Sequence, residues 1–378
     1  MKKQFIIFFT VVLSVYGLIN FYIFFRGWNA LGSYPAYRTP LLFIGILLAA
    51  AYPLGRVLER YSLSRLSEVI VYTGAVWLGE MVYLFLITAA MDIIRLILFF
   101  IPVISLHDAG RWDALAAFAL ATVMTVYGFV NARFPKIKNL RFDMPKRSSS
   151  AESMTIAAVS DIHLGTIMGP KRLRYIVDRI NSINADIVLF VGDVFDEDIG
   201  RVIKNNLGQL LAQIRSKYGM YAVTGNHEYF GGVDAAVNYL HDHGITVLRD
   251  ESVDVAGAVR IIGREDRSSG GWNNRKRKSI PEIIPAGQNT LPMIVMDHQP
   301  QQLQDAVDAQ VDLQLSGHTH HGQLWPFNYI TKKVYEVSWG YKKKGNTHFY
   351  VSCGAGSWGP PIRTGNTPEI LRIDIRFH

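Results

Sequence analysis

The chain has 378 residues, of which 49% are hydrophobic and only 19% charged, with a formal net charge of +8. Soluble domains average about 25% charged residues, so part of this chain reads as lying outside water, and an intrinsically disordered chain is excluded. A single cysteine, Cys353, excludes an intrachain disulfide framework and a thiolate zinc finger.

From Gln4 to Phe25 there is no charge at all, between Lys2–Lys3 and Arg26. The run is bulky to its end, unlike a cleaved signal peptide, and it reaches the roughly 20 residues that a bilayer span needs. Further apolar runs cover Leu41 to Val57, with Pro53 inside, then Val69 past Ala90 toward Ile101, and Ala114 to Val130. The expectation is an all-α transmembrane bundle of about four helices over residues 1–132. Glu80, Asp92 and Arg95 fall in or near the third span. Ionisable groups at that depth face a bundle interior or one another, and Asp92 and Arg95 stand three apart on one helix face. Before residue 151, 15 Lys/Arg face 7 Asp/Glu, and afterwards 24 face 24. The surplus flanks the apolar runs: Lys2 and Lys3, then Arg56, Arg60 and Arg65, then Arg133 through Arg147. Such placement argues for a cell-membrane, multi-pass protein with both termini cytoplasmic, and against a nucleic-acid partner.

Residues 133–152 read as a basic linker ending in Ser148–Ser149–Ser150. From residue 153 to 378 the pattern changes. Short β-branched runs (Thr155–Val159, Asp186–Val191, Met220–Val223) alternate with helix-like segments (Lys171–Asn181, Arg201–Ser216, Val233–Asp242), the signature of an α/β sheet. Later runs follow at Ile245–Leu248, Val259–Gly263, Met293–Met296, Val311–Leu315, Phe349–Val351 and Ile370–Ile375.

Polar residues gather just past the carboxyl ends of these strands, where α/β sheets place ligands. They are Asp161 and His163, then Gly192–Asp193, then Gly225–Asn226–His227–Glu228, then His298, and finally Gly317–His318–Thr319–His320–His321–Gly322. In an extended segment residues two apart point the same way, so Asp161 and His163 can address one point. Carboxylate, imidazole and amide ligands suit Zn, Mn or Fe, and there are enough of them for two ions sharing a carboxylate. Glycines beside them allow sharp turns and close substrate approach.

In this order the motifs resemble those of the calcineurin-like metallophosphoesterases, over about Met154 to Arg376. The ending Gly354–Ala355–Gly356, Pro361–Ile362–Arg363 and Pro368–Glu369–Ile370 is similar to the bacterial YkuE/YaeI-like branch. The resemblance implies an α/β two-sheet sandwich flanked by helices. One metal would be held by Asp161, His163, Asp193 and His320, and the second by Asp193, Asn226, His298 and His318, with Asp193 bridging. It also implies that His227 is catalytic, stabilising the transition state or protonating the leaving oxygen. Two divalent ions are expected, manganese favoured over iron or zinc. Arg363, Arg275 (in Arg275–Lys276–Arg277–Lys278 after Gly270–Gly271–Trp272) and His321 are candidate substrate contacts.

Four spans exceed what an anchor requires. The leading expectation is therefore a membrane-embedded phosphoesterase acting on a phosphodiester or pyrophosphate of a lipid-linked substrate at the cytoplasmic face. Two other readings stand beside it: a tethered phosphodiesterase or nuclease of soluble substrates, and a transport or sensor module regulated by the phosphoesterase.

Overall fold

The computed structural model describes residues 2–100, 109–144, 151–272, 276–284 and 291–378. It divides into two units, one of residues 1–129 with 359–362, the other of residues 130–358 with 363–378. The expected extension to Ile101 and the three serines 148–150 lie outside the described residues.

The first unit holds four long helices: α1 (Lys2–Ala30), α2 (Arg38–Tyr61), α3 (Arg65–Phe99) and α4 (Ala109–Asn131). Each carries a stretch long and apolar enough to cross a membrane: Thr10–Ala30, Pro35–Tyr61, Arg65–Phe99 and Trp112–Asn131. Small residues let α2 and α3 approach closely, since a Cβ on Gly74 would lie 2.2 Å from the Tyr52 nitrogen. Phe24 stacks on Trp77 with ring centroids 5.5 Å apart, and the Trp77 indole donates to Asn20 at 3.0 Å. Apolar side chains on the outer faces are open, such as Leu18, Leu47 and Val123, as lipid contact requires.

Asp92 and Arg95, whose spacing allows a pair on one helix face, do not pair with each other but make polar contacts to other helices. Asp92 receives Arg26 at 2.5 Å and the Tyr22 hydroxyl at 2.6 Å, both from α1. Arg95 pairs with Asp113 of α4, and Glu80 accepts the Thr122 hydroxyl at 3.0 Å. Each ionisable group is thus met by a complementary group on a neighbouring helix, which competes successfully with the partner on its own.

The second unit contains twelve strands among its described residues: β1 (Lys136–Met144), β2 (Ser153–Val159), β3 (Ile187–Val191), β4 (Met220–Val223), β5 (Ile245–Val247), β6 (Glu251–Val255), β7 (Val259–Gly263), β8 (Met293–Met296), β9 (Leu313–Ser316), β10 (Gly340–Lys344), β11 (Thr347–Val351) and β12 (Glu369–Phe377). They form two six-stranded sheets, ordered β1-β12-β2-β3-β4-β5 and β10-β11-β9-β8-β7-β6. Strands β2 to β5 run parallel, as do β7, β8 and β9.

Period-two alternation distributes the core. Met154, Ile156 and Ala158 of β2 join Ile261, Ile294, Met296 and Leu315 between the sheets, while Ala157 and Val159 face the helical layer with Leu173, Ile176 and Ile180. Strand β3 is buried along its whole length, the reason its sequence is continuously apolar.

The structure corrects two local expectations. Residues 136–144, assigned to the linker, form edge strand β1, which pairs in parallel with β12 and buries Phe142 and Met144. Its alternation of basic and apolar residues is that of an edge strand with one face in water. The helix expected over Arg201–Ser216 is two short pieces, Gly200–Lys204 and Gly208–Leu211, broken where Asn206 turns to φ 50°.

Candidate metal centre

The polar motifs converge at the carboxyl ends of β2, β3 and β4 in one sheet and β8 and β9 in the other. The loops are tied directly to each other. Asp161 N–H donates to the Gly192 carbonyl and His163 N–H to the Asp193 carbonyl, both at 3.1 Å. Asp161 in turn accepts the His318 N–H at 2.9 Å.

The backbone here is not extended. Asp161, His163, Asp193, His318 and His320 all have φ between 45° and 70°, the left-handed region that L-residues avoid. Asp161 and His163 therefore converge through consecutive tight turns rather than through strand alternation. Two glycines make room for ligand side chains rather than for substrate. A Cβ on Gly225 would fall 2.1 Å from Asp193 Oδ1, and one on Gly317 would fall 2.3 Å from Asp161 Oδ2.

Three ligand groups, each gathered within 4.8 Å, share members: Asp161–His163–His320, His163–Asp193–His227 and Asp193–His298–His318. Asp193 Oδ2 lies 3.1 Å from His298 Nε2 and 3.9 Å from His163 Nε2, so one carboxylate reaches both sides. His163 Nε2 faces His320 Nε2 at 3.0 Å, and Asn226 Oδ1 sits 2.7 Å from His318 Nδ1.

These contacts fit cations. His298 Nδ1 must donate to the Val191 carbonyl, 2.8 Å away, so in a neutral ring the buried Nε2 presents its lone pair to a carboxylate oxygen. Lone pair against lone pair is repulsive unless a positive charge intervenes. The electrostatics say the same. Burial works against a proton on His298, yet Asp193 and Asp161 hold its pKa well above the usual value. Asp193 sits far below the carboxylate range despite burial, because His298, His227 and His163 surround it. Burial pushes Asp161 up to about 6 and His318 down to about 4. An oxygen- and nitrogen-rich donor set without thiolate suits Mn, Fe or Zn.

His227 stands beside this cluster. Its N–H donates to Asp193 Oδ1 at 2.9 Å, its Nδ1 is hydrogen-bonded to the Asp196 carbonyl, and its ring lies 4.6 Å from that of His163. Phe230 and Trp358 pack edge-on against it at 5.4 and 5.8 Å.

Residues 154–322 match the model of the calcineurin-like phosphoesterase family. A metallophosphoesterase of Helicobacter pylori strain J99 is 34% identical over 247 residues, covering 64% of each chain. The Bacillus subtilis metallophosphoesterase YkoQ is 30% identical over 255 residues, covering 64% of this chain and 90% of the relative. A zebrafish (Danio rerio) transmembrane protein with a metallophosphoesterase domain is 30% identical over 280 residues, covering 70% of this chain and 63% of that one. The chain belongs to the calcineurin-like metallophosphoesterase family. It spans just under two thirds, 64%, of the length of the Helicobacter pylori relatives it matches.

Membership implies divalent metal ions, and the Asp/His groups above are where this metallophosphoesterase could hold them. The three expected substrate contacts fare differently. Arg275 lies outside the described residues. Arg363 is fully buried, its guanidinium donating to the Gly356 and Cys353 carbonyls, to Asn366 Oδ1 and to His320 Nδ1 at 2.6 to 2.9 Å. It holds the His320 ring through Nδ1 and has no solvent exposure. His321 is also buried, with Nδ1 3.1 Å from the Ser338 hydroxyl and its ring on Trp339. An isolated arginine in a Gly/Pro loop looks exposed in sequence; only the loop's closure over it removes it from the surface.

Two further residues matter that sequence reasoning left without a role. Glu228 accepts the backbone N–H groups of Asp193, Phe195 and Gly225 at 3.1, 3.0 and 2.7 Å, locking the loops after β3 and β4 together. Its position three after Gly225 is the capping-box spacing, which was the available signal. Asp196 holds His227 through its backbone carbonyl, while its Oδ1 stands 3.8 Å from His163 Nδ1 and 3.9 Å from His227 Nδ1, a charge beside both rings rather than a hydrogen bond.

Proposed function

We propose that this chain is a membrane-embedded, metal-dependent phosphoesterase that hydrolyses a phosphodiester or pyrophosphate of a lipid-linked substrate at the cytoplasmic face, with manganese as its favoured metal. The observation that carries the hydrolytic part is the Asp193 carboxylate set between two histidine groups, with His227 beside it. Bound divalent ions supply phosphoryl polarisation and a lowered water pKa. The chain's own residues do the rest. Asp161, His163, Asp193 and His320 would hold one ion, and Asp193, Asn226, His298 and His318 the other. His227 has Nδ1 engaged by the Asp196 carbonyl and its ring beside that of His163. Burial disfavours its proton, but Asp193 and Asp196 raise its pKa, which suits a group that protonates a leaving oxygen near neutral pH.

The lipid-linked substrate is supported by four spans where one would anchor, and the cytoplasmic face by the basic flanks. The transport or sensor reading loses its support, because Glu80, Asp92 and Arg95 are each engaged by a neighbouring helix.

Purified full-length protein with manganese is expected to hydrolyse bis(p-nitrophenyl) phosphate. His227→Ala is expected to lower kcat by at least about 10²-fold, the usual weight of a general acid, and Asp193→Ala, which removes the shared carboxylate, by no less. Turnover unaffected by either substitution would overturn the assignment.

A further inference from the structure

Exposed apolar surface on the second unit is concentrated at one place. From residue 151 onward, ten large apolar side chains are exposed among the described residues, and five of them fall within 325–334: Trp325 at 48%, Phe327 at 36%, Tyr329 at 57%, Ile330 at 60% and Val334 at 68%. They occupy the turn after the His320–Gly322 motif and the short helix Asn328–Val334. On that helix only Asn328 is buried, while Ile330 and Val334 are four apart on one open face. Lys332 and Lys333 are exposed between them, and Lys332 Nζ lies 5.9 Å from the Tyr329 ring centre. The segment borders the metal centre at both ends. His320 precedes it, and the Tyr335 ring just past it is 6.2 Å from that of His318.

A water-facing loop has no reason to expose two aromatic residues, a tyrosine and two aliphatics within ten residues, with two lysines as the charged residues among them. Such a mixture suits a membrane interface, where aromatic rings sit at headgroup level, aliphatic side chains enter the acyl boundary and lysines meet anionic phosphates. The same chain supplies four candidate spans, so a bilayer surface is always within reach. We infer that residues 325–334 dock into the surface of an anionic bilayer, placing the rim of the metal centre at the lipid headgroups. This deepens the proposed function by naming how a lipid-borne phosphoester would reach the site, but the docking itself does not depend on turnover.

The test uses the full chain reconstituted into phosphatidylglycerol-containing vesicles, with an environment-sensitive NBD probe on Ile330→Cys. The native Cys353 is buried and leaves the introduced thiol as the reactive one. Asp242→Cys, exposed at the end of the helix Val233–Asp242, is the control. The probe at 330 is expected to emit blue-shifted light and to be quenched at least twofold by brominated lipids. Quenching should weaken when phosphatidylglycerol is replaced by phosphatidylcholine, and the probe at 242 should respond to neither. Water-like emission at 330, unchanged by brominated lipid, would overturn the inference. So would a blue shift that brominated lipid cannot quench, which would mean that a protein surface covers the patch. Because the probe reads no hydrolysis, a docked but inactive protein would refute the proposed function alone.

Discussion

At the scale of single residues, Arg363 illustrates how the fold can enclose a charge. Four acceptors converge on one guanidinium with no solvent exposure, a geometry that a lysine ammonium cannot reproduce. Arg363→Lys leaves several of these acceptors unpaired and is expected to cost about 1–3 kcal/mol in denaturant unfolding. A lower urea midpoint with an unchanged slope checks this. A midpoint that stays in place would mean that the lysine satisfies the same acceptors. Glu228→Gln tests the other hidden support. It replaces a carboxylate that accepts three N–H groups by an amide with one acceptor oxygen, and should cost about 1–3 kcal/mol in denaturant unfolding. The converging Asp, His and Asn residues were legible because few chemistries use those types in that order after strands. The supporting roles were not, because they depend on which side of a loop closes over which side chain.

Among the elements, strands with both faces buried were the most readable: β4, β7 and β8 begin and end where their apolar runs do. Strands with an open face were hidden. Both β1 and β10 are rich in lysine, and Lys342 and Lys344 of β10 reach Glu336 at 2.9 and 3.3 Å instead of a ligand. Lysines suit an edge strand, where they deter pairing with other chains, but in β1 they read as a basic linker. The strand identity of β1 has a practical consequence. A chain beginning at Asn131 is expected to retain turnover of a chromogenic diester. One beginning at Ala151 lacks the burial of Phe142 and Met144, worth about 3–6 kcal/mol at roughly 1.5–3 kcal/mol each, and should melt roughly 10 °C lower. Equal melting temperatures for the two truncations would show that β1 adds nothing to the sheet.

For the molecule as a whole, composition gave more than any motif. An excess of basic residues confined to the apolar half pointed to a membrane protein, and four helices of sufficient length occupy that half. The zebrafish relative is named for both a transmembrane part and a metallophosphoesterase domain. The proposed orientation places both termini on the cytoplasmic side, so a reporter fused after His378 should behave as cytosolic. Exposure of that reporter to external protease in intact cells would reverse the orientation.

The left-handed turns at the metal centre have a cost that runs against the fold. Each holds an acidic or imidazole residue in a backbone state that disfavours it by about 1–3 kcal/mol, and burial adds to this by lifting Asp161 toward a pKa of about 6. A carboxyl raised in the folded state favours folding while protonated and loses that contribution as pH climbs past the folded value. Stripped of metal at pH 7.5, wild-type protein should therefore melt earlier than Asp161→Asn, whose amide carries no charge and tolerates the turn better. The sturdier molecule would be the one that has given up its chemistry.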